Sequence, residues 1–354
     1  MVLEILNFLA DAYFWYTDRA SGPLTAVKHV RDVVNFLDDR RAQKFTHYGS
    51  EGLGFESLRA RLMYSQKTLG ALAVGTGAIL WGTIGPVISL FPDGNSFQYS
   101  AFRSAAGSLI LWIIVAFSRV KTRYTKADVK PILVAGLGSG GFLPFFALGF
   151  ERTGVAVASV VAIGLAPIFV GIITWTIYKK RPGKTWVIGT FLGVAGITAL
   201  NWPGGDTAVN FAGIGFASLA AFSYSWQAIG MSQLAKRHNA FQTVAPAFTL
   251  ASLIQIPLTR GMSYEFLTDP ILLLGAMYGA IATLSLAYSF FAYGVHRIGP
   301  ANAVTVGLME PVTAATLGVT LLNERISKLG FFGILLVLIG LFIVGRPPKK
   351  LPLT

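Results

Sequence analysis

The chain has 354 residues, of which 53% are hydrophobic and 13% charged. Soluble domains carry about 25% charged residues, so a soluble globular fold is excluded. The formal net charge is +13, but the basic residues gather in alternate short loops rather than along one stripe, which excludes a nucleic-acid-binding surface. There are no cysteines, so disulfides and thiolate metal sites are excluded as well.

Residues 1–66 form an N-terminal cytoplasmic or interfacial extension. Met1–Tyr16 is apolar but carries Glu4 and Asp11 and lacks a basic leading region, which argues against a signal peptide. Over Pro23–Phe45, Leu24, Val27, Val30, Val34 and Leu37 recur at intervals of three or four, the period of an amphipathic helix. Such a helix would lie on the inner membrane face or cap the cytoplasmic mouth. A start codon assigned too early is the competing reading, since Met63 stands just before the first apolar block.

Ten spans are expected, at roughly 69–90, 97–118, 131–150, 154–178, 186–202, 211–235, 241–260, 271–294, 300–322 and 329–345. Turn chemistry separates several of them, as at Pro92–Asn95, Arg181-Pro182-Gly183 and Trp202–Gly205. With a cytoplasmic N-terminus, 18 Lys and Arg fall inside and 4 outside, which predicts both termini in the cytoplasm.

The second half repeats the first. Ala147, Gly149, Arg152, Gly154, Ala156 and Ala158 reappear 145 positions later as Ala292, Gly294, Arg297, Gly299, Ala301 and Ala303. Gly70, Trp81 and Gly85 match Gly215, Trp226 and Gly230 at the same offset. At 144, Pro167, Gly189 and Gly196 match Pro311, Gly333 and Gly340. The expected repeats are 67–203 and 204–346, followed by a cytoplasmic tail at 347–354. Five spans per repeat is odd, so the second half enters the membrane inverted. The fold class expected is an all-α membrane protein of ten transmembrane helices, built as two inverted five-helix repeats around a central cavity.

Three local patterns fail on context. Gly136–Gly141 contains G-x-G-x-x-G inside an apolar span with no preceding strand, where small residues serve close helix contact. Gly183-Lys184-Thr185 resembles the end of a phosphate-binding loop, but the first glycine that motif needs falls at Tyr178. His29, His47, His238 and His296 have no metal-ligand spacing, so no metal, cofactor or catalytic residue is expected. Any uphill transport would then draw on a proton or other ion gradient, or on the substrate's own gradient.

Ionisable groups inside spans are costly, and so are candidates for function. Glu310 precedes Pro311, which removes a backbone donor and loosens the ninth span. A carboxyl group there either binds an amino or cationic group, carries a coupling proton, or is a protonated acid satisfied by a neighbouring helix. Pro167 marks the matching helix break. Arg103, in the second span, either faces the cavity to bind a carboxylate or pairs across helices. Arg152 and Arg297 open matched spans as interfacial anchors or gate-lining charges. Trp81, Phe142, Phe145, Tyr224, Trp226, Gln227, Tyr288 and Asn302 complete a predicted cavity for a small amphipathic solute, although packing alone accounts for any one aromatic.

Trp81-Gly82, Phe102-Arg103, Arg152-Thr153-Gly154-Val155-Ala156, Glu310-Pro311-Val312 and Asn323-Glu324-Arg325-Ile326 together resemble an EamA-type permease of the drug/metabolite transporter superfamily, over about residues 68–346. One departure is Lys179-Lys180-Arg181, where such repeats often carry a Gly-Glu pair. The resemblance implies a bacterial inner-membrane secondary transporter exporting amino acids or related metabolites. A multidrug or other-metabolite permease is the alternative within the family. A membrane-embedded lipid enzyme and a scaffold are alternatives outside it.

Overall fold

The computed structural model describes residues 51–88, 91, 96–118, 123–202, 210–321 and 325–345. The Pro23–Phe45 helix, the Pro92–Asn95 turn and Glu324 lie outside the described residues. So does most of Trp202–Gly205. The described residues are helical, with no strand among them. In chain order the helices are α1 Glu51–Gly82, α2 Ile84–Ile88, α3 Ser96–Phe117, α4 Lys126–Thr176, α5 Lys184–Leu200, α6 Phe211–Leu234 and α7 Ala240–Leu258. They continue as α8 Pro270–Tyr278, α9 Ala287–Ile298, α10 Pro300–Val306, α11 Met309–Leu321 and α12 Lys328–Gly345. Seven helical stretches among the described residues are long and apolar enough to cross a membrane. The α5 helix is shorter, at 17 residues.

The helix starts follow from local chemistry. Asp128 accepts from the Thr125 backbone N–H at 2.8 Å and starts α4 with a capping box. Asn239 and Gln242 do the same for α7. Asn210 caps α6, and Asp269 followed by Pro270 starts α8.

Two breaks shape the bundle. Gly154 interrupts α4 at φ 80°, ψ 159°, and Gly299 separates α9 from α10 at φ 82°, ψ 157°. In both halves an arginine closes the turn before the break. Arg152 Nη1 donates to the Leu148 carbonyl at 2.9 Å, and Arg297 Nη1 donates to the Tyr293 carbonyl at 2.6 Å. Each guanidinium thus adds a second donor to a carbonyl one turn back, tying the arginine to its own helix just before the break.

Pro167 does not break its helix, contrary to expectation; α4 runs through it. The proline removes one backbone donor, and the turns on either side hold the helix. Ser225 Oγ binds the neighbouring Ala166 carbonyl at 3.0 Å. The break near Pro311 is present but falls just before it. There α10 ends at Val306 and α11 starts at Met309, with the Glu310 N–H donating to the Gly307 carbonyl at 2.9 Å.

Close backbone approach holds the repeats together. A methyl group added at Gly196 would lie 2.6 Å from the Gly333 carbonyl oxygen, and one at Gly189 would lie 2.7 Å from that of Gly340. The 144-residue offset exchanges these two contacts, as a pseudo-two-fold relation between α5 and α12 requires. Between α3 and α7 the seam is polar. Gln255 Oε1 accepts from Ser100 and Ser104, and Ser108 bonds Thr249 at 2.8 Å. In hydrocarbon each of these groups needs a protein partner.

Candidate functional site

The α1 helix ends at Trp81-Gly82, and Gly82 lets it come against the start of α11. A methyl there would lie 2.7 Å from the Glu310 carbonyl oxygen. The preceding residue, Trp81, has its ring centroid 4.7 Å from Tyr288 and 6.3 Å from Tyr224. Phe142 continues the wall, 5.6 Å from Tyr224 and stacked on Phe146 at 5.9 Å. Phe145 lies near Gly141 on the same helix.

Glu310 is partly buried and lies within electrostatic range of Tyr224 and Tyr288. Arg103 lies within electrostatic reach of both Glu310 and Tyr288. Its Nη2 donates to the Thr283 carbonyl at 3.2 Å, inside a π-helical stretch at Gly279–Leu286. A π-helix displaces carbonyls from the α-helical pattern and is frequent at functional sites. Two carbonyls in this region take unusual donors, Thr283 from Arg103 and Ala280 from Ser285 Oγ.

Several buried polar atoms here have no hydrogen-bond partner among the described residues. They are Trp81 Nε1, Arg103 Nε, and both Nε2 and Oε1 of Gln227. The Tyr288 hydroxyl lies within loose hydrogen-bonding range of the Gln227 amide, but no bond of good geometry forms at either amide atom. Unpartnered polar groups are rare in folded interiors. Of these side chains Trp81 and Gln227 both border Tyr288, and Arg103 lies within electrostatic range of Glu310 and Tyr288.

The other predicted residues stand elsewhere. Trp226 is half-exposed and packs on Phe222 at 6.0 Å, although its repeat mate Trp81 is buried. Asn302 Nδ2 turns back to the Ile298 carbonyl at 2.7 Å across the Gly299 break. Arg152 stacks on Phe216 and Arg297 on Tyr293, so both brace the breaks rather than reach Glu310.

The sequence reading missed Phe291 and Phe248, which pack on Trp81 and Tyr288 at 5.5 and 4.6 Å. Phe291 follows Tyr288 by three residues, a helical spacing that gave the only signal. It also missed a cluster at the start of α4. There Asp128 pairs with Arg237 at 3.0 Å and with His238 at 3.3 Å. Tyr124 donates to the Gln242 carbonyl at 2.8 Å, and burial next to the Asp128 carboxylate pushes its phenol up to about 12. The Thr125–Asp128 capping box was the legible trace of this cluster.

The EamA-like transporter family model matches residues 68–202 and 211–346. The uncharacterized transporter YwfM of Bacillus subtilis (strain 168) is 31% identical over 283 residues, covering 79% of this chain and 95% of its own. The threonine/homoserine exporter RhtA of Escherichia coli (strain K12) is 27% identical over 244 residues, covering 68% of this chain and 79% of its own. A crystal structure at 16% identity has a TM-score of 0.66 and covers 77% of this chain, a likeness of fold. Two matched repeats and multi-pass apolar helices make this a membrane transporter rather than an enzyme: the chain belongs to the EamA-like transporter family.

Proposed function

We propose that this protein is a ten-span secondary transporter of the bacterial inner membrane, exporting amino acids or closely related metabolites by alternating access. The observation that carries the reading is an opposed pair inside the bundle, a Glu310 carboxyl group and an Arg103 guanidinium within electrostatic range of each other. A zwitterion complements both, with its ammonium on Glu310 and its carboxylate on Arg103. Trp81, Tyr224, Tyr288 and Phe142 give the apolar wall. The 18-to-4 distribution of basic residues supports cytoplasmic termini. The likeness to a threonine/homoserine exporter supports an amino-acid substrate.

The repeat-related breaks at Gly154 and Gly299 suit rigid helical arms that rock about the fixed site. Glu310 is the candidate for proton coupling, since a carboxyl group that binds the substrate ammonium can exchange it for a proton.

The test is counterflow uptake in proteoliposomes, using labelled aromatic, aliphatic, polar, basic and acidic amino acids, with and without a pH gradient. Saturable uptake of one class is expected, lost in Glu310→Gln at unchanged protein abundance. Normal uptake by that variant would remove Glu310 from the site.

A further inference from the structure

The side chain of Gln227 is 1% exposed, yet neither its amide donor nor its amide acceptor has a partner of good geometry among the described residues, the Tyr288 hydroxyl approaching it only loosely. Gln255, another buried carboxamide, uses both ends. Its Oε1 takes two serine hydroxyls and its Nε2 faces the Ser139 and Gly140 carbonyls. The interior therefore satisfies a carboxamide where the role is packing.

Gln227 cannot retreat from its place. Gly138 lies directly on its backbone, where a methyl group would stand 2.5 Å from the Gln227 nitrogen. The Trp81 indole N–H is a second buried donor without a partner among the described residues. Tyr288 connects the two, touching Gln227 on one side and the Trp81 ring at 4.7 Å on the other.

We infer that Gln227 and Trp81 form a neutral polar subsite, adjoining Glu310 and Arg103, that reads an uncharged hydroxyl or carboxamide on the substrate side chain. A carboxamide offers one kind of donor and one acceptor together, and a hydroxyl or second carboxamide answers both at once. The indole N–H adds a donor to the same oxygen. An aliphatic side chain would leave all three atoms unpaired, which is a strong basis for rejecting an isostere. A side-chain carboxylate would face the Gln227 oxygen with no donor, and an ammonium would leave both N–H groups unused.

The inference rests on the amino-acid reading above, and the experiment separates the two. Counterflow is measured with isosteric pairs, threonine against valine and asparagine against leucine, for the wild type, Gln227→Leu and Trp81→Phe. The readout is the polar-to-aliphatic uptake ratio, so a general loss of rate cancels. The wild-type ratio is expected at about tenfold or more, falling to within about twofold in Gln227→Leu. Trp81→Phe keeps the ring and loses only the N–H, and its ratio is expected between these. Thermal melting in detergent checks that each variant is folded. Amino-acid uptake with a wild-type ratio near one, or a ratio unchanged in folded Gln227→Leu, overturns the subsite and leaves the amino-acid reading standing. Absence of exchange for every amino acid overturns both.

Discussion

Gly154 and Gly299, 145 residues apart, hold the same backbone conformation, φ 80°, ψ 159° and φ 82°, ψ 157°. This region of backbone space is essentially reserved for glycine. Among the described residues neither position has a packing neighbour within 4 Å of where a side chain would begin, so the requirement comes from the backbone and not from crowding. Gly154→Ala and Gly299→Ala are expected to cost about 1–3 kcal/mol each. Gly154→Ser should be no worse than Gly154→Ala, because space is available. Thermal melting of the purified variants in detergent checks this, and a serine variant far less stable than alanine would point to sterics instead.

Gly70 and Gly215 are also repeat mates, but their surroundings differ. A methyl at Gly70 would lie 2.7 Å from the Arg297 Cβ, and one at Gly215 would meet nothing among the described residues within 4 Å. Gly70→Leu is expected to destabilise by about 1–3 kcal/mol through overpacking. Gly215→Leu should be expressed and melt like the wild type. Equal losses in membrane abundance for both variants would contradict this asymmetry.

Arg103→Leu removes the donor to the Thr283 carbonyl and the positive charge near Glu310. The orphaned carbonyl alone should cost about 1–3 kcal/mol. Arg103→Lys keeps the charge but loses the planar fork, and should melt between Leu and wild type. If Arg103 holds a substrate carboxylate, the KM for amino-acid uptake rises in both variants and more in Leu.

Asp128 is the third-position acid of the α4 capping box, accepting from the Thr125 N–H, and joins two partners from the α6–α7 connection. Replacing it with alanine is expected to cost about 1–2 kcal/mol through the lost cap. Arg237 is half exposed, with 51% of its side chain accessible, and Arg237→Gln should cost less than about 1 kcal/mol. Melting of the two variants side by side gives the ranking.

Tyr124 is a phenol whose folded pKa, about 12, stands above its ordinary value of 10.0. The neutral form is favoured by folding, so its contribution to stability is whole below pH 10 and fades as pH rises toward 12. Tyr124→Phe should flatten that part of the stability profile. Phenolate absorbance should show the wild type titrating one more tyrosine than the variant, and only in this upper range.

The sequence alone determined that this is an all-α membrane protein with a duplicated body. Long apolar runs must bond their own backbone in a bilayer, and a 145-residue offset is legible without coordinates. The paired arginines and glycines at 152–154 and 297–299 were likewise on view, because each break is encoded locally. Glu310 stood out because a carboxyl group in an apolar run is expensive.

Only the tertiary structure decided which aromatics face Glu310. Trp81 and Trp226 occupy matching positions in the repeats, yet one is buried beside Tyr288 and the other packs on Phe222 at the surface. Helical spacing gives a residue's face but not the neighbour it meets, and near-uniform hydrophobicity removes the polar face that would orient a helix. The unpartnered atoms of Gln227, the Arg103 contact with the π-helical carbonyl and the Asp128 cluster depend on segments distant in sequence. Sequence supplies those side chains one at a time, and only packing determines whether each finds a partner or is left without one.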